Sequence, residues 1–197
     1  MGLLLATAAA DAQENTPGVF LVFCGVTALG RMAAGGQQRY FQRLRPYASD
    51  KRWRVREAVA TGLQYVGDAS MPLLLEHMQE WVQGNWYEKR AAAAALAEPR
   101  LLREAGMARR VLGVLDAITL DITSSALLHD EAFKVLRQAM GYCWSVAVAA
   151  LPEAGKPMME KWLRSSEPDV QWIMRENLKK NRLTVMDADW VARWKRT

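Results

Sequence analysis

Apolar residues recur at intervals of three and four along most of the chain, whereas strict alternation of apolar and polar residues is nearly absent. Residues 51–66 show the pattern clearly, because Val55, Val59, Leu63 and Val66 follow one another at these intervals. Such spacing places side chains on one face of an α-helix, so it predicts an amphipathic helix. Strands are not predicted anywhere.

Residues that start and stop helices divide the rest of the chain into segments of about 10 to 20 residues with short connections. The pattern predicts helices over residues 71–82, 86–97 and 131–149. It predicts breaks at Pro99, Gly106, Pro152 and Pro168. Helices of this length with short loops are typical of antiparallel helix pairs, so the sequence predicts an all-α fold.

A short motif recurs in residues 50–57 and 169–176, which contain an aspartate, a tryptophan, an arginine and a glutamate in the same order. The aspartate lies six residues before the arginine in both copies, in a position that predicts a helix cap. Looser copies surround Arg90 and Arg137, so the arginines follow one another at intervals of 34, 47 and 38 residues. A degenerate first copy without an arginine lies over residues 19–25. Periods of this length, with two helices each, indicate an α-solenoid.

The stretch from Trp53 to Ala58 and residues 172–180 resemble the repeats of bacterial HEAT-like proteins. The resemblance covers most of the chain. It implies a right-handed α-solenoid of about five HEAT-like helix pairs in a single domain over residues 1–197. Because this fold mainly supplies a curved surface, the resemblance implies a non-enzymatic scaffold that binds another macromolecule, most simply a protein, on its concave face.

Some bacterial HEAT-like proteins are alkylpurine DNA glycosylases, which place a catalytic aspartate near aromatic residues in a positively charged groove. No tryptophan of this chain is followed by an aspartate within four residues, and neither Asp116 nor Asp121 has a tryptophan beside it in the sequence. The resemblance therefore assigns no catalytic residue. The alternative function is a DNA-binding relative of these enzymes.

The net charge of +5 is concentrated in two basic blocks. Residues 39–56 carry seven basic side chains against one aspartate, and residues 161–197 carry nine against five acidic ones. The blocks are interpreted either as solvated helix faces or as two anchor points for a polyanion such as DNA.

Aromatic and basic residues of the recurring motif lie three or four positions apart, where they share a helix face and can stack. The predicted pairs are Trp53/Arg56, Trp86/Arg90, Phe133/Arg137 and Trp172/Arg175. We therefore take as the candidate binding surface Trp53, Arg56, Trp86, Arg90, Arg137, Trp172, Arg175, Lys179 and Arg182. The stripe formed by the last four is the strongest candidate, and it suits a nucleic-acid backbone or an acidic protein segment. The alternative is structural: the arginines reach the turns of neighbouring repeats, and the tryptophans fill the core between repeats.

Candidate chemistry beyond binding is sparse. Two cysteines and two scattered histidines predict no metal site and no disulfide framework, and no phosphate-binding loop or nucleophile motif predicts a cofactor. Cys143 is interpreted as a buried structural thiol. No apolar run is long enough for a membrane span, and reduced thiols favour the cytoplasm.

The beginning of the chain lacks charge over residues 2–10 and again over residues 17–30. Two helices without a charged face would expose a larger apolar patch than soluble monomers usually do. We therefore expect residues 2–30 to be covered, most simply by the same surface of a second chain in a homodimer. An upstream segment or a partner protein are the alternatives.

Overall fold

A computed structural model describes residues 12–124 and 130–196. The described part consists of α-helices, short 3₁₀-helices and loops, without a β-strand, which confirms the all-α prediction. The chain divides into two compact units, Met1–Leu96 and Ala97–Thr197. The assignment of one repeat domain to the whole chain stays a prediction.

The first unit contains five α-helices and one 3₁₀-helix among its described residues. They are α1 (Pro17–Ala33), α2 (Gln38–Leu44), the 3₁₀-helix Arg45–Ser49, α3 (Trp53–Ala69), α4 (Met71–Trp81) and α5 (Trp86–Leu96). Helix α3 packs against α1 on one side and against α5 on another, and α4 contacts both α3 and α5. Helices α1, α3 and α5 carry the first three copies of the recurring motif, so equivalent helices of successive copies are neighbours in this unit.

Helices α1 and α3 approach closely where two glycines face each other. A Cβ atom added to Gly30 would lie 2.1 Å from the Cα atom of Gly62. No other residue type permits this distance, because every other side chain begins with a Cβ atom.

The second unit contains six α-helices and one 3₁₀-helix in its described part. They are the 3₁₀-helix Pro99–Leu101, α6 (Ala105–Ser124), α7 (Glu131–Ala150), α8 (Pro152–Leu163), α9 (Pro168–Leu178), α10 (Asn181–Met186) and α11 (Ala188–Lys195). Helix α7 packs most extensively against α9 and also contacts α6 and α8. Helices α7 and α9 carry the copies of the motif that contain Arg137 and Arg175.

Three buried tryptophans hold the second unit together through both their rings and their indole N–H groups. The hydrogen bonds run from Trp144 to Thr119 Oγ1 (3.1 Å), from Trp162 to Asp116 Oδ1 (2.7 Å) and from Trp190 to Glu160 Oε1 (2.8 Å). A buried indole loses free energy unless its N–H group finds an acceptor, so these contacts let the rings fill the core.

The predicted helix bounds agree closely with the structure, but one predicted break is wrong. Helices over residues 71–82, 86–97 and 131–149 are observed within one residue at each end. Pro152 and Pro168 are the first residues of α8 and α9, where a missing N–H group costs nothing. Gly106 is the second residue of α6 rather than a break. The apolar face that follows it, with buried Val111, Leu112 and Leu115, outweighs the low helix propensity of one glycine.

None of the helices in the described ranges is long and apolar enough to cross a lipid bilayer.

Candidate functional site

The candidate binding residues are distributed over both units. Trp53, Arg56, Trp86 and Arg90 lie in the first unit. Arg137, Trp172, Arg175, Lys179 and Arg182 lie in the second. Each group is therefore described by the contacts within its own unit.

Arg56 is a structural residue at the beginning of α3. Its side chain is 9% exposed, and Nη1 donates hydrogen bonds to the carbonyl oxygens of Asp50 (2.7 Å) and Lys51 (2.9 Å). These are backbone groups of the turn that precedes its own helix, not of a neighbouring repeat. The predicted stacking of Arg56 on Trp53 is wrong, because the guanidinium lies 5.2 Å from the centroid of the Tyr87 ring. Trp53 is 47% exposed and is covered instead by Arg54.

Asp50 closes the turn before α3 but does not cap the helix. Oδ1 accepts hydrogen bonds from the backbone N–H of Arg52 (2.8 Å) and from Nε of the same residue (2.9 Å). Burial alone would raise the pKa of Asp50, but the hydrogen bonds from Arg52 and the charges of Arg52 and Arg56 lower it below its ordinary value. The prediction that Asp50 caps α3 is wrong, because its carboxylate is hydrogen-bonded to Arg52, the residue just before the helix.

Arg90 connects two helices, as the structural interpretation expected. From α5, Nη1 donates to the carbonyl oxygen of Arg56 in α3 (3.2 Å), and Nη2 forms an ion pair with Glu57. Charge-assisted bonds of this kind fix the position of one helix on another. Trp86, the predicted stacking partner of Arg90, lies instead near Lys89, whose Nζ is 5.7 Å from the ring centroid.

Arg137 has the same role in the second unit. From α7, Nε lies 2.6 Å from Asp169 Oδ1 in α9, and the guanidinium lies 3.9 Å from the centroid of the Trp172 ring. The predicted pairs Phe133/Arg137 and Trp172/Arg175 are therefore wrong. Phe133 is buried in the core, and the ring of Trp172 faces the neighbouring helix rather than the next turn of its own. Asp169 binds this arginine, while Glu167 caps α9.

The predicted stripe of Trp172, Arg175, Lys179 and Arg182 is not one surface. Helix α9 ends at Leu178, so the two later residues do not continue its face. Trp172 is covered by Arg137, and Arg175 lines a small cleft of about 180 Å³ together with Trp194. Only Lys179 and Arg182 remain together.

These two residues line a larger depression that we call the cationic cleft. Its volume is about 810 Å³. It is lined by the basic residues Arg103, Lys179, Lys180 and Arg182, by Asn181, and by the apolar residues Pro99, Leu102, Val146, Ala149, Ala150 and Val185. The loop before α6, the end of α7 and the segment from the end of α9 into α10 form its walls.

The cleft is strongly positive, since four basic side chains and no aspartate or glutamate line it. Lys179 forms an ion pair with Glu176 but keeps a side chain that is 62% exposed. Arg182 donates to the hydroxyl of Tyr142 and lies 4.6 Å from the centroid of that ring. The exposed Tyr142 therefore holds the guanidinium in place without neutralising its charge.

Sequence reasoning missed Arg103, Lys180 and the apolar floor of the cleft. The sequence contains a signal for Lys180, because this basic residue lies between Lys179 and Arg182, which were already candidates. Arg103 had none, because its cleft partners other than Pro99 and Leu102 are more than forty residues away in the sequence and only the fold brings them together.

Asn177 is a second residue that sequence reasoning missed. Its side chain is fully buried, Oδ1 accepts from the backbone N–H of Ser145 (2.7 Å), and Nδ2 donates to the carbonyl oxygens of Met140 and Ile173 (both 2.8 Å). The amide therefore joins α9 to the backbone of α7. A polar residue within an apolar periodicity, between Met174 and Leu178, is the signal that could have found it.

The described residues contain no group of three or more histidine, cysteine, aspartate or glutamate side chains arranged to hold a metal ion. Cys143 is buried, as predicted, whereas Cys24 is exposed. Asp116 has no tryptophan beside it in the sequence, but Trp162 of α8 lies next to it in the structure. The carboxylate of Asp116 accepts hydrogen bonds from Trp162 Nε1 and from Lys161 Nζ (3.1 Å). Asp116 is half-buried, and these bonds connect α6 to α8, so they give the residue a structural role.

Comparison with known proteins identifies no relative: no family model, no curated protein and no solved structure matches the chain.

Proposed function

We propose that the protein is a non-enzymatic binding scaffold of the HEAT-like type, an α-solenoid that presents a preformed surface to another protein in the cytoplasm. The observation that carries the proposal is the contrast between two sets of basic residues. Arg56, Arg90 and Arg137 are used inside the units to fix helices. The cationic cleft instead presents four basic side chains and no carboxylate in its lining, although Lys179 also pairs with Glu176 beside the cleft.

Binding needs neither a cofactor nor a metal ion in this proposal, because the cleft supplies charge and apolar surface by itself. Rigid helices hold both, so little conformational entropy is lost when a partner binds. The fold then acts by positioning side chains rather than by chemistry.

The alternative is DNA binding through the two basic blocks. Its support is weaker in the block of residues 39–56, where Arg45 binds Glu88 (2.7 Å), Arg52 binds Asp50 (2.6 Å) and Arg56 binds backbone carbonyls. A phosphate would have to displace these internal partners. The block of residues 161–197 supplies Lys179, Lys180 and Arg182 to the cleft. The positive charge of these residues suits an acidic protein and DNA equally.

A capture experiment with matched variants tests the proposal. The full chain, the variant K180E/R182E and the control R109E/R110E would be used to capture partners from the native host, with cross-linking before washing. The control reverses the same number of charges at exposed positions of α6, outside the cleft. We expect one set of proteins to be captured by the wild type and the control and to be lost with the cleft variant.

Equal capture by all three proteins would contradict the proposal. Binding of a labelled DNA duplex at low salt, with an affinity that falls steeply as salt is raised, would favour the alternative instead.

A further inference from the structure

Resting on this proposed function, the geometry points to the class of partner that the cationic cleft takes: an acidic protein segment that carries an apolar side chain between its carboxylates. The inference depends on three properties of the cleft: its floor, its rim and its size.

The floor of the cleft is apolar. Leu102 and Val146 line the cleft and are almost completely buried. Val185 at the edge is 78% exposed, which is unusual for a valine in a folded protein. A ligand that covers Val185 and the neighbouring Ala150 removes apolar surface from water, and only a ligand with an apolar group gains from this.

The basic side chains, which we call the rim of the cleft, come from two separate segments of the chain. Arg103 lies in the loop before α6, and Lys180 and Arg182 lie beyond the end of α9. Carboxylates on both sides of an apolar residue would meet these groups while the apolar residue reaches the floor. Charge complementarity of this kind selects partners and speeds their association.

The size of the cleft favours a protein segment over nucleic acid. A volume of about 810 Å³ accommodates a few side chains. The phosphates of a duplex would contact the rim but leave the apolar floor without a partner. A membrane surface is broad and flat and would meet Val185 without filling the depression behind it.

Fluorescence anisotropy with synthetic peptides tests the inference on the full chain. The probes are a labelled peptide of about ten residues that alternates glutamate and leucine, an all-glutamate peptide and a lysine–leucine peptide of the same length. We expect the glutamate–leucine peptide to bind about tenfold more tightly than the all-glutamate peptide, and the lysine–leucine peptide not to bind.

Three variants locate the binding in the cleft. K180E/R182E and, independently, R103E should each weaken the glutamate–leucine peptide about tenfold or more, whereas R109E/R110E should leave it unchanged. V185S should lower the affinity for the glutamate–leucine peptide until it approaches the affinity for the all-glutamate peptide. Thermal melting verifies the fold, and R103E keeps the test decisive if loss of the Tyr142 contact destabilises the double variant.

Equal affinity for the two acidic peptides, or insensitivity to the cleft variants, would overturn the inference. Tighter binding of a DNA duplex or of phosphatidylserine vesicles, with the same dependence on the cleft variants, would overturn it as well. If host partners are captured through the cleft but neither acidic peptide binds, the partner class is wrong while the scaffold function stands.

Discussion

The two units use opposite means to bring equivalent helices together. In the first unit α1 meets α3 backbone to backbone at Gly30 and Gly62, while on another side of α3 the side chain of Arg90 binds α3 from α5. In the second unit α7 and α9 are connected by a buried polar side chain, Asn177, whose amide binds the backbone of both helices. The two helix contacts thus differ in kind, because one depends on the absence of side chains at Gly30 and Gly62 and the other on a single buried amide.

The exposed surfaces of the units differ as well. Helix α1 of the first unit exposes apolar side chains, with Phe20 63% and Leu21 48% exposed. The second unit exposes basic side chains around its cleft. An apolar surface suits an obligate, self-complementary contact, whereas a charged cleft suits a partner that binds and leaves. The described parts of the two units thus expose surfaces of different chemistry.

The largest effect on stability is expected from Gly30→Ala. The added Cβ atom would lie 2.1 Å from Gly62 Cα and must push two backbones apart. We expect the free energy of unfolding to fall by roughly 3 kcal/mol or more, measured by urea denaturation, since overpacking against backbone cannot be relieved by a rotamer change.

Two matched substitutions sharpen this result. Gly62→Ala should cost less, because its Cβ atom would lie 3.1 Å from Gly30 Cα. Gly113→Ala meets no atom within 4 Å and should stabilise by up to about 1 kcal/mol through helix propensity. Equal effects of all three substitutions would show that the helices do not depend on the glycine contact.

The next largest effect is expected from Asn177→Ala in the second unit. The substitution removes three buried hydrogen bonds and leaves the backbone groups of Ser145 and Met140 with one partner fewer each. We expect a loss of about 2–3 kcal/mol. Tryptophan fluorescence is a suitable signal, because Trp144 is buried beside this contact.

The exposed Asn181 provides the control. Asn181→Ala should change the free energy of unfolding by less than about 0.5 kcal/mol. If Asn177→Ala were equally mild, the connection between α7 and α9 would rest on apolar packing alone, and the contrast between the units would disappear.

The helices of this protein could be predicted from sequence because their signals are local. Ser70 caps α4, accepting a hydrogen bond from the N–H of Leu73, and the apolar period of α3 defines its buried face. The contacts of Arg56 and Arg137 could not be predicted, because their aromatic partners Tyr87 and Trp172 belong to other helices, more than thirty residues away. Spacing within a helix shows which side chains share a face, but not which neighbour that face meets.

The cleft was predicted in part for the same reason. Lys179 and Arg182 stand in a basic block that is visible in the sequence. Arg103 and Val146 come to the site only through the packing of α7 beside the loop before α6. Charge composition therefore indicated three of the four basic residues that line the cleft, while its apolar lining comes together only through tertiary structure.

The smallest effect on stability is expected when charge is introduced on the exposed side of α1, where exposed and buried apolar side chains are neighbours in the sequence. Residues 2–11 of the expected dimer surface lie outside the described residues, so the test uses α1. Phe20 and Leu21 are exposed, and Phe20 stacks with Phe23 at a centroid distance of 6.4 Å, whereas Val22 is completely buried. F20E/L21E should therefore change the free energy of unfolding of the isolated chain by less than about 1 kcal/mol, while Val22→Glu should cost several times more.

If α1 pairs with a second copy, light scattering of the wild type at micromolar concentration gives twice the chain mass of 22.1 kDa, and F20E/L21E gives the chain mass. A wild type that is monomeric under these conditions contradicts the homodimer, and the apolar side of α1 then belongs to another contact.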